Sequence, residues 1–187
     1  MSRDTGFITD YDDNRKEIER WFSIKSECKY RRYAKILESN GIATTWSKVK
    51  DLYRYDKRLA FNLFKYISFL EEYLRARIVE SEGNTEESYD QWQCRYLKDL
   101  QDPACRIICG GDDSEVRCMN ADFELVKPLR NTVMHAKIII GRHDFREAIL
   151  ALEDLLPIQY KDGFRKDISG CSRGLDVDGM WLVHFHC

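Results

Sequence analysis

Apolar residues recur every three or four positions through most of the chain, which is the spacing of helices that bury one side. The longest such stripe runs over residues 56–82 and predicts a central core helix. Glu71 and Arg75 interrupt it with the (i, i+4) spacing of a surface ion pair. The apolar members of the stripe are Leu59, Leu63, Phe64, Ile67, Leu70, Leu74 and Ile78.

Breaks in the same pattern separate further helices along the chain. Together they predict an all-α fold of about five helices, with its core over residues 12–168 of a single domain spanning residues 1–187. Residues 169–187 contain glycines and then an aromatic run, which predicts a short irregular or strand-like tail. The other predicted helices are 12–39, a short one at 46–53, 86–100, 120–139 with an interruption at Pro128, and 144–156.

Length, charge and hydropathy narrow the class of protein. A chain of 187 residues is long enough for one compact domain with its own core. It has no run of about 18 apolar residues, and its start lacks an apolar signal core, so we expect a cytoplasmic protein with no membrane segment. A net charge of −2 excludes the overall positive field of a dedicated DNA-binding domain. Any contact with nucleic acid must then be local.

The seven cysteines are an odd number in a chain without an export signal, which favours reduced thiols over disulfides. Cys105, Cys109 and Cys118 have neither the spacing nor a nearby histidine for zinc, so we expect no metal and no cofactor. A redox-sensing scaffold that uses these three thiols is one alternative function. His184 and His186 lie near the end of the chain, where alternation along a strand explains them without a metal.

A basic stretch at residues 25–35 has two interpretations. The first is a solvated helix face whose tyrosines, Tyr30 and Tyr33, pack on a neighbouring helix, and the pattern favours it. The second is contact with an RNA backbone. The RNA-contacting candidates are Lys25, Lys29, Arg31 and Arg32 in this stretch, together with Lys137 further along the chain.

The group with the clearest chemistry is Arg130, Asn131 and His135, within six residues of a predicted helix. Asn131 and His135 share a helix face, and the long Arg130 side chain can reach the same ligand. Pro128 suits the first position of a helix, which predicts that the positive dipole end faces a phosphate. Histidine and arginine can cut RNA by moving protons and holding the phosphorane charge.

One histidine cannot act as base and acid in the same concerted step, so we expect a two-fold dimer that brings two copies together. His143 lies beyond Gly141 and need not face the same site. The plain alternative is that His135 is a hydrogen-bonded histidine near a helix end, that Arg130 is a surface cation and that Asn131 is incidental.

The segment from Arg130 to His135 resembles the Arg-x4–6-His motif of the HEPN superfamily, including the polar residue directly after the arginine. The order of elements over residues 46–168 also resembles HEPN proteins of the abortive-infection type. These elements are the helix at 59–78, a variable middle, the motif helix, the helix at 144–157 and the segment at 160–164.

This resemblance implies a metal-independent endoribonuclease that is active as a homodimer in phage defence or toxin-like growth arrest. Arg130 and His135 would be catalytic, and Asn131 would position or polarise. RNA and a second copy would be partners, with an antitoxin or inhibitor protein as a further candidate. Other HEPN proteins are inactive modules that bind a protein or RNA, which is the alternative function.

Overall fold

The structure is a computed structural model that describes residues 6–176. All the regular secondary structure in this range is helical, with a short 3₁₀ turn at Gly170–Ser172 and no strand, so the predicted all-α class is confirmed. Most of the strand-like tail, with His184 and His186, lies outside the described residues. The eight described helices are α1 (Tyr11–Ile24), α2 (Glu27–Ser39), α3 (Trp46–Ser81), α4 (Glu86–Trp92), α5 (Leu97–Ile108), α6 (Asp113–Met134), α7 (Phe145–Leu155) and α8 (Ile158–Ser169).

Several predicted helix boundaries were wrong, for local reasons. The helix predicted at 12–39 is two helices, because the backbone turns at Ser26, whose φ of 33° lies in the left-handed region. The segments at 46–53 and 56–82 are instead one helix, α3. Pro128 was expected to interrupt a helix, yet it lies inside α6. The segment predicted as one helix at 86–100 is instead α4 followed by the start of α5.

The described chain divides into two compact units, so the single domain predicted from length stays a prediction. The first unit comprises residues 6–59 and 170–176, and the second comprises residues 60–169. Helix α3 contributes its first part to the first unit and the rest to the second. No described helix combines the length and the apolar character that crossing a membrane requires.

The first unit is built around aromatic side chains from α1, α2 and α3. Tyr30 of α2 is fully buried, with its ring centroid 5.4 Å from that of Trp46 and 5.3 Å from that of Tyr53. Trp46 begins α3, and its backbone N–H donates to the carboxylate of Asp10 at 2.7 Å. A residue at the start of α1 therefore holds the start of α3 in place.

In the second unit α6 packs against both α5 and α7, and α8 packs on α3. The rings of Tyr66 and Phe164 meet edge to face at 4.9 Å. Asp167 of α8 accepts hydrogen bonds from Lys65 at 2.8 Å and from Tyr66 at 3.0 Å. A side chain at Gly163 would come within 3.3 Å of the Tyr66 oxygen, so glycine permits this close approach.

The predicted apolar stripe of α3 is buried except at one position. Leu59, Leu63, Ile67, Leu70, Leu74 and Ile78 are each at most 1% exposed, whereas Phe64 is 50% exposed. Phe64 was wrongly assigned to the stripe because, at about 100° per residue, it lies about 60° beyond Ile67 and outside the arc that the buried members occupy.

Candidate functional site

Helix α6 carries the motif at its C-terminal end. Its N-terminus is capped by the Asp112 carboxylate, which accepts from the backbone N–H groups of Ser114 and Glu115 at 2.8 and 3.1 Å. Twenty-two residues later the helix ends at Met134, and His135 is the C-cap residue. Arg130 and Asn131 therefore lie in the last turns of a long helix.

This location corrects the dipole argument made from Pro128. Since α6 begins at Asp113, Pro128 lies deep inside it and does not open a helix. The end near Arg130 is the C-terminal end, where partial negative charge accumulates. Helix α6 itself thus gives no positive dipole end for a phosphate.

A left-handed turn after α6 fixes the backbone of His135. Ala136 has φ of 51°, its N–H donates to the carbonyl of Val133, and the N–H of Lys137 donates to the carbonyl of Thr132, each at 3.0 Å. These two bonds are those of a Schellman motif, in which glycine is the usual left-handed residue. The His135 side chain is exposed, one helical turn beyond the exposed Asn131.

Glu71 of α3 holds the Arg130 guanidinium. The carboxylate Oε1 of Glu71 accepts from Nε of Arg130 at 3.1 Å and from the backbone N–H of Leu97 at 3.2 Å. Its other oxygen lies 3.4 Å from a terminal nitrogen of Arg75. The predicted Glu71–Arg75 pair is therefore present, but Glu71 is only 6% exposed, and the expectation of a surface pair was wrong.

Tyr96 covers one side of the same guanidinium. The central carbon of the Arg130 guanidinium lies 4.9 Å from the centroid of the Tyr96 ring, at the distance of a cation–π contact. The Nε–H of Arg130 donates to Glu71, and the two terminal nitrogens of Arg130 make no hydrogen bond to another described residue. The guanidinium is therefore oriented, with its two-nitrogen edge available to an anion.

The oriented arginine opens onto a pocket of about 330 Å³. Three cations line it, of which Lys98 is exposed and unpaired among the described residues, while Lys127 pairs with Glu124 at 2.5 Å. Asn131 is also part of the wall. The first turn of α5 borders the pocket, so the helix N-terminus that lies next to this pocket, with its partial positive charge, is that of α5. Its lining residues, which we call the Arg130 pocket, are Tyr96, Leu97, Lys98, Lys127, Arg130 and Asn131.

Of the three predicted catalytic residues, the structure brings Arg130 and Asn131 into this pocket. His135 is not among its lining residues. Lys137 is exposed just beyond His135. The protomer thus assembles groups for holding an anion and leaves its candidate proton-transfer group at the exposed end of the same helix.

Residues after the motif stabilise the loop between α6 and α7. Arg142 donates to both carboxylate oxygens of Asp144, at 3.0 and 2.6 Å, and to the hydroxyl of Thr132 at 3.3 Å. Burial opposes ionisation of Asp144, but the hydrogen bonds and charge of Arg142 outweigh it and lower the pKa of this carboxyl. The loop is therefore tied back to the last turn of α6.

In the basic stretch of the first unit, the tyrosines pack as the favoured interpretation expected. Tyr30 and Tyr33 are both fully buried, and the Tyr33 hydroxyl donates to Asp56 at 2.7 Å. Arg31 pairs with Glu27 at 2.7 Å and lies over the ring of Phe7. Lys25 and Arg32 are exposed, and Lys29 is half-buried.

Of the three thiols named for the redox alternative, Cys118 is exposed, whereas Cys105 and Cys109 have little of the character of a redox sensor. The six described cysteines are free, and Cys105 and Cys109 are buried. Burial, followed by the neighbouring Cys109 and Asp102, raises the pKa of Cys105 to about 11, and burial raises the pKa of Cys109 as well. A raised pKa reduces the reactive thiolate fraction. Within residues 6–176, no three histidine, cysteine or acidic side chains are grouped so as to hold a metal ion.

Four residues of the site were not recognised from the sequence: Glu71, Tyr96, Lys98 and Lys127. Lys127 could have been found, since it lies three residues before Arg130 and four before Asn131 on one helix. Glu71 also had a signal, because it follows Ile67 by four residues and precedes Leu74 by three, which puts it on the buried face. Tyr96 and Lys98 reach the pocket through tertiary packing and carry no local signal.

No protein-family model, curated protein or solved structure matches this chain. Membership of the HEPN superfamily therefore stays a prediction that is carried by the motif and the order of the helices.

Proposed function

We propose that this protein is a metal-independent endoribonuclease of the HEPN type. The observation that carries the proposal is the Arg130 pocket, in which Glu71 and Tyr96 orient the guanidinium and Lys98, Lys127 and Asn131 line the same space. These are the groups that hold a phosphodiester and neutralise the charge that develops on it. The exposed His135 lies one turn from Asn131, within the same motif.

In the proposed reaction His135 takes the proton of the ribose 2′-hydroxyl, and the 2′-oxygen forms a bond to the adjacent phosphorus. Arg130 stabilises the extra negative charge of the phosphorane. The bond from phosphorus to the 5′-oxygen then breaks, and that oxygen receives a proton from His135 of the partner subunit. The products are a 2′,3′-cyclic phosphate and a 5′-hydroxyl. A homodimer supplies the second proton-transfer group.

The biological setting we propose is phage defence or toxin-like growth arrest, which is what the resemblance to HEPN proteins of the abortive-infection type implies. Such an activity must be restrained, and an antitoxin or inhibitor protein is the partner that would do so.

A second candidate function is binding of RNA or a partner protein without cleavage. Two observations favour it: Glu71 compensates the charge of Arg130, and His135 is not in the wall of the Arg130 pocket. In that case the pocket holds a phosphate or a carboxylate, and ligand binding survives the loss of His135.

The test is cleavage of a mixed RNA pool by purified protein in excess chelator. We expect the wild type to cut and His135→Ala to lose at least about a hundredfold in rate, the usual contribution of a general acid or base. His143→Ala is the matched control, because His143 is also exposed and lies in the loop after α6. No cutting by a dimeric wild type would favour the binding function, and equal loss in both variants would contradict the role assigned to His135.

A further inference from the structure

A second pocket lies in the same compact unit as the Arg130 pocket, between α3 and α4. Its volume of about 410 Å³ is within the range of sites that hold small molecules. The turn that joins the two helices completes its wall through Asn84. We call this space the Glu72 pocket, and its lining includes Glu72, Arg75, Ala76, Val79 and Tyr89.

One buried carboxylate, that of Glu71, links the two pockets. Its Oε1 accepts from Nε of Arg130 at 3.1 Å, and its Oε2 lies 3.4 Å from a terminal nitrogen of Arg75, which lines the Glu72 pocket. The connection between α4 and α5 also borders both pockets. A polymer that places one group on Arg130 can therefore place a neighbouring group in the Glu72 pocket.

Two opposite charges line the Glu72 pocket without pairing with each other. Glu72 and Arg75 are three residues apart on α3, a spacing that often gives an ion pair. Arg75 instead donates from Nε and one terminal nitrogen to the carbonyl of Arg95, at 2.8 and 2.6 Å. Its other terminal nitrogen makes no hydrogen bond to a described residue, and Glu72 makes no ion pair with one. A ligand can therefore use a carboxylate and a guanidinium N–H together.

The same pocket has a surface for a flat ring. Tyr89 of α4 is 59% exposed, and its ring meets no other aromatic ring of the described residues. Ala76 and Val79 of α3 line the pocket from the other helix. Nucleic-acid bases stack on exposed aromatic side chains, and the remaining polar groups then select among the bases by their edges.

We infer that the Glu72 pocket binds a guanine base. Guanine carries two adjacent donors on its Watson–Crick edge, N1–H and the N2 amino group, which one carboxylate can accept together, and its O6 accepts from arginine. Adenine and cytosine present a ring nitrogen acceptor beside their amino group, and uracil presents one donor between two carbonyls, so each of them repels the Glu72 carboxylate. The inference rests on the proposed function for the choice of an RNA strand over a free guanine nucleotide.

The test measures binding of the full chain to fluorescent 2′-O-methyl oligouridines of about eight nucleotides, with guanosine, inosine or adenosine at one central position. These probes lack the 2′-hydroxyl, so binding is measured whether or not the protein cleaves RNA. Glu72→Gln keeps the side-chain size but replaces one acceptor oxygen by a donor. The matched control is Glu87→Gln, at an exposed position of α4 on the side away from Tyr89.

We expect the wild type to bind the guanosine probe at least about tenfold more tightly than the adenosine probe. Inosine should fall between them, because it keeps N1–H and lacks the N2 amino group. Glu72→Gln should remove most of this preference, and Glu87→Gln should keep it. Tyr89→Ala should weaken binding of the guanosine probe about tenfold, whereas Tyr89→Phe should bind as the wild type does.

No preference for guanosine in the wild type would overturn the inference, as would equal effects of the two glutamine variants. Binding of free guanosine monophosphate as tightly as the guanosine probe would overturn the choice of an RNA strand. If guanosine is preferred while the wild type cuts no RNA, the ribonuclease proposal fails by itself and the guanine site stands. If the wild type cuts RNA but binds all three probes equally, the guanine site fails by itself.

Discussion

At the scale of single residues, Glu71 organises the candidate site. Its buried carboxylate accepts from Arg130 and from the first N–H of α5, and it lies near Arg75. A buried carboxylate is tolerated when several donors satisfy it, and its removal leaves those donors without a partner. The orientation of Arg130 thus depends on a residue from a different helix, 59 positions earlier in the chain.

Glu71→Gln should lower the free energy of unfolding by about 2 to 3 kcal/mol, because it removes the charge that compensates the partly buried Arg130. Urea denaturation measures this change. Glu72→Gln is the matched control, since Glu72 is adjacent but exposed, and it should change stability by less than about 0.5 kcal/mol. Similar effects of the two substitutions would contradict a structural role for the Glu71–Arg130 pair.

Asp144 makes the stability of the fold depend on pH. Its pKa is lowered in the folded state by Arg142, so its contribution to stability is complete above the unfolded pKa of about 3.9 and is lost as pH falls through the lower folded value. Asp144→Asn should cost about 1 to 2 kcal/mol near neutral pH. The Asp144 side chain makes no capping bond to α7, so this loss reports on Arg142.

Urea denaturation of wild type and Asp144→Asn should therefore show a difference that is constant near neutral pH and shrinks towards zero as pH falls below about 3.9. A difference that persists unchanged into strong acid would mean that Arg142 does not stabilise the Asp144 carboxylate.

At the scale of helices, the type of each element was easier to predict than its ends. The apolar spacing of α3 predicts a buried helix, and the burial of Leu63, Ile67 and Leu70 agrees. The break at Ser26 was not predictable, because serine gives no sequence signal for a positive φ, and α6 continues through Pro128 although proline commonly ends a helix. The candidate site shows the same limit. The Arg130–His135 motif and the burial of Glu71 had sequence signals, but the pairing of Glu71 with Arg130 depends on the contact between α3 and α6.

The end of α6 supplies a test at this scale. Ala136→Gly should raise the free energy of unfolding by about 1 kcal/mol, because Ala136 has a left-handed φ that glycine adopts without strain. Ala76→Gly, at an exposed position inside α3, should instead lower stability by about 1 kcal/mol. Thermal denaturation of the two variants checks this, and destabilisation by Ala136→Gly would contradict the Schellman turn that holds His135.

At the scale of the whole molecule, the account requires two copies. The described part of one chain offers one motif histidine, one helical turn beyond Asn131, whereas the proposed reaction needs a base and an acid together. In a two-fold dimer each protomer contributes the same side chains to its partner's site. In the proposed reaction the active species is the dimer, so a substitution in either protomer should change the cleavage rate of both sites.

Mixing experiments test this requirement. When His135→Ala is exchanged into the wild type at threefold excess, only about a quarter of wild-type chains keep a wild-type partner, so cleavage should fall to about a quarter at constant wild-type concentration. The same excess of His143→Ala should raise the rate about fourfold, because every dimer then keeps both His135 side chains. Full activity despite exchange with His135→Ala, with dimers seen by light scattering, would mean that each protomer acts alone.

The most direct measurement is the chemistry of the ends left when purified protein cuts RNA in excess chelator. The account predicts 2′,3′-cyclic phosphate and 5′-hydroxyl ends from the wild type, and neither from His135→Ala. Products that carry 5′-phosphates and 3′-hydroxyls would contradict attack by the 2′-hydroxyl and the roles assigned to Arg130 and His135.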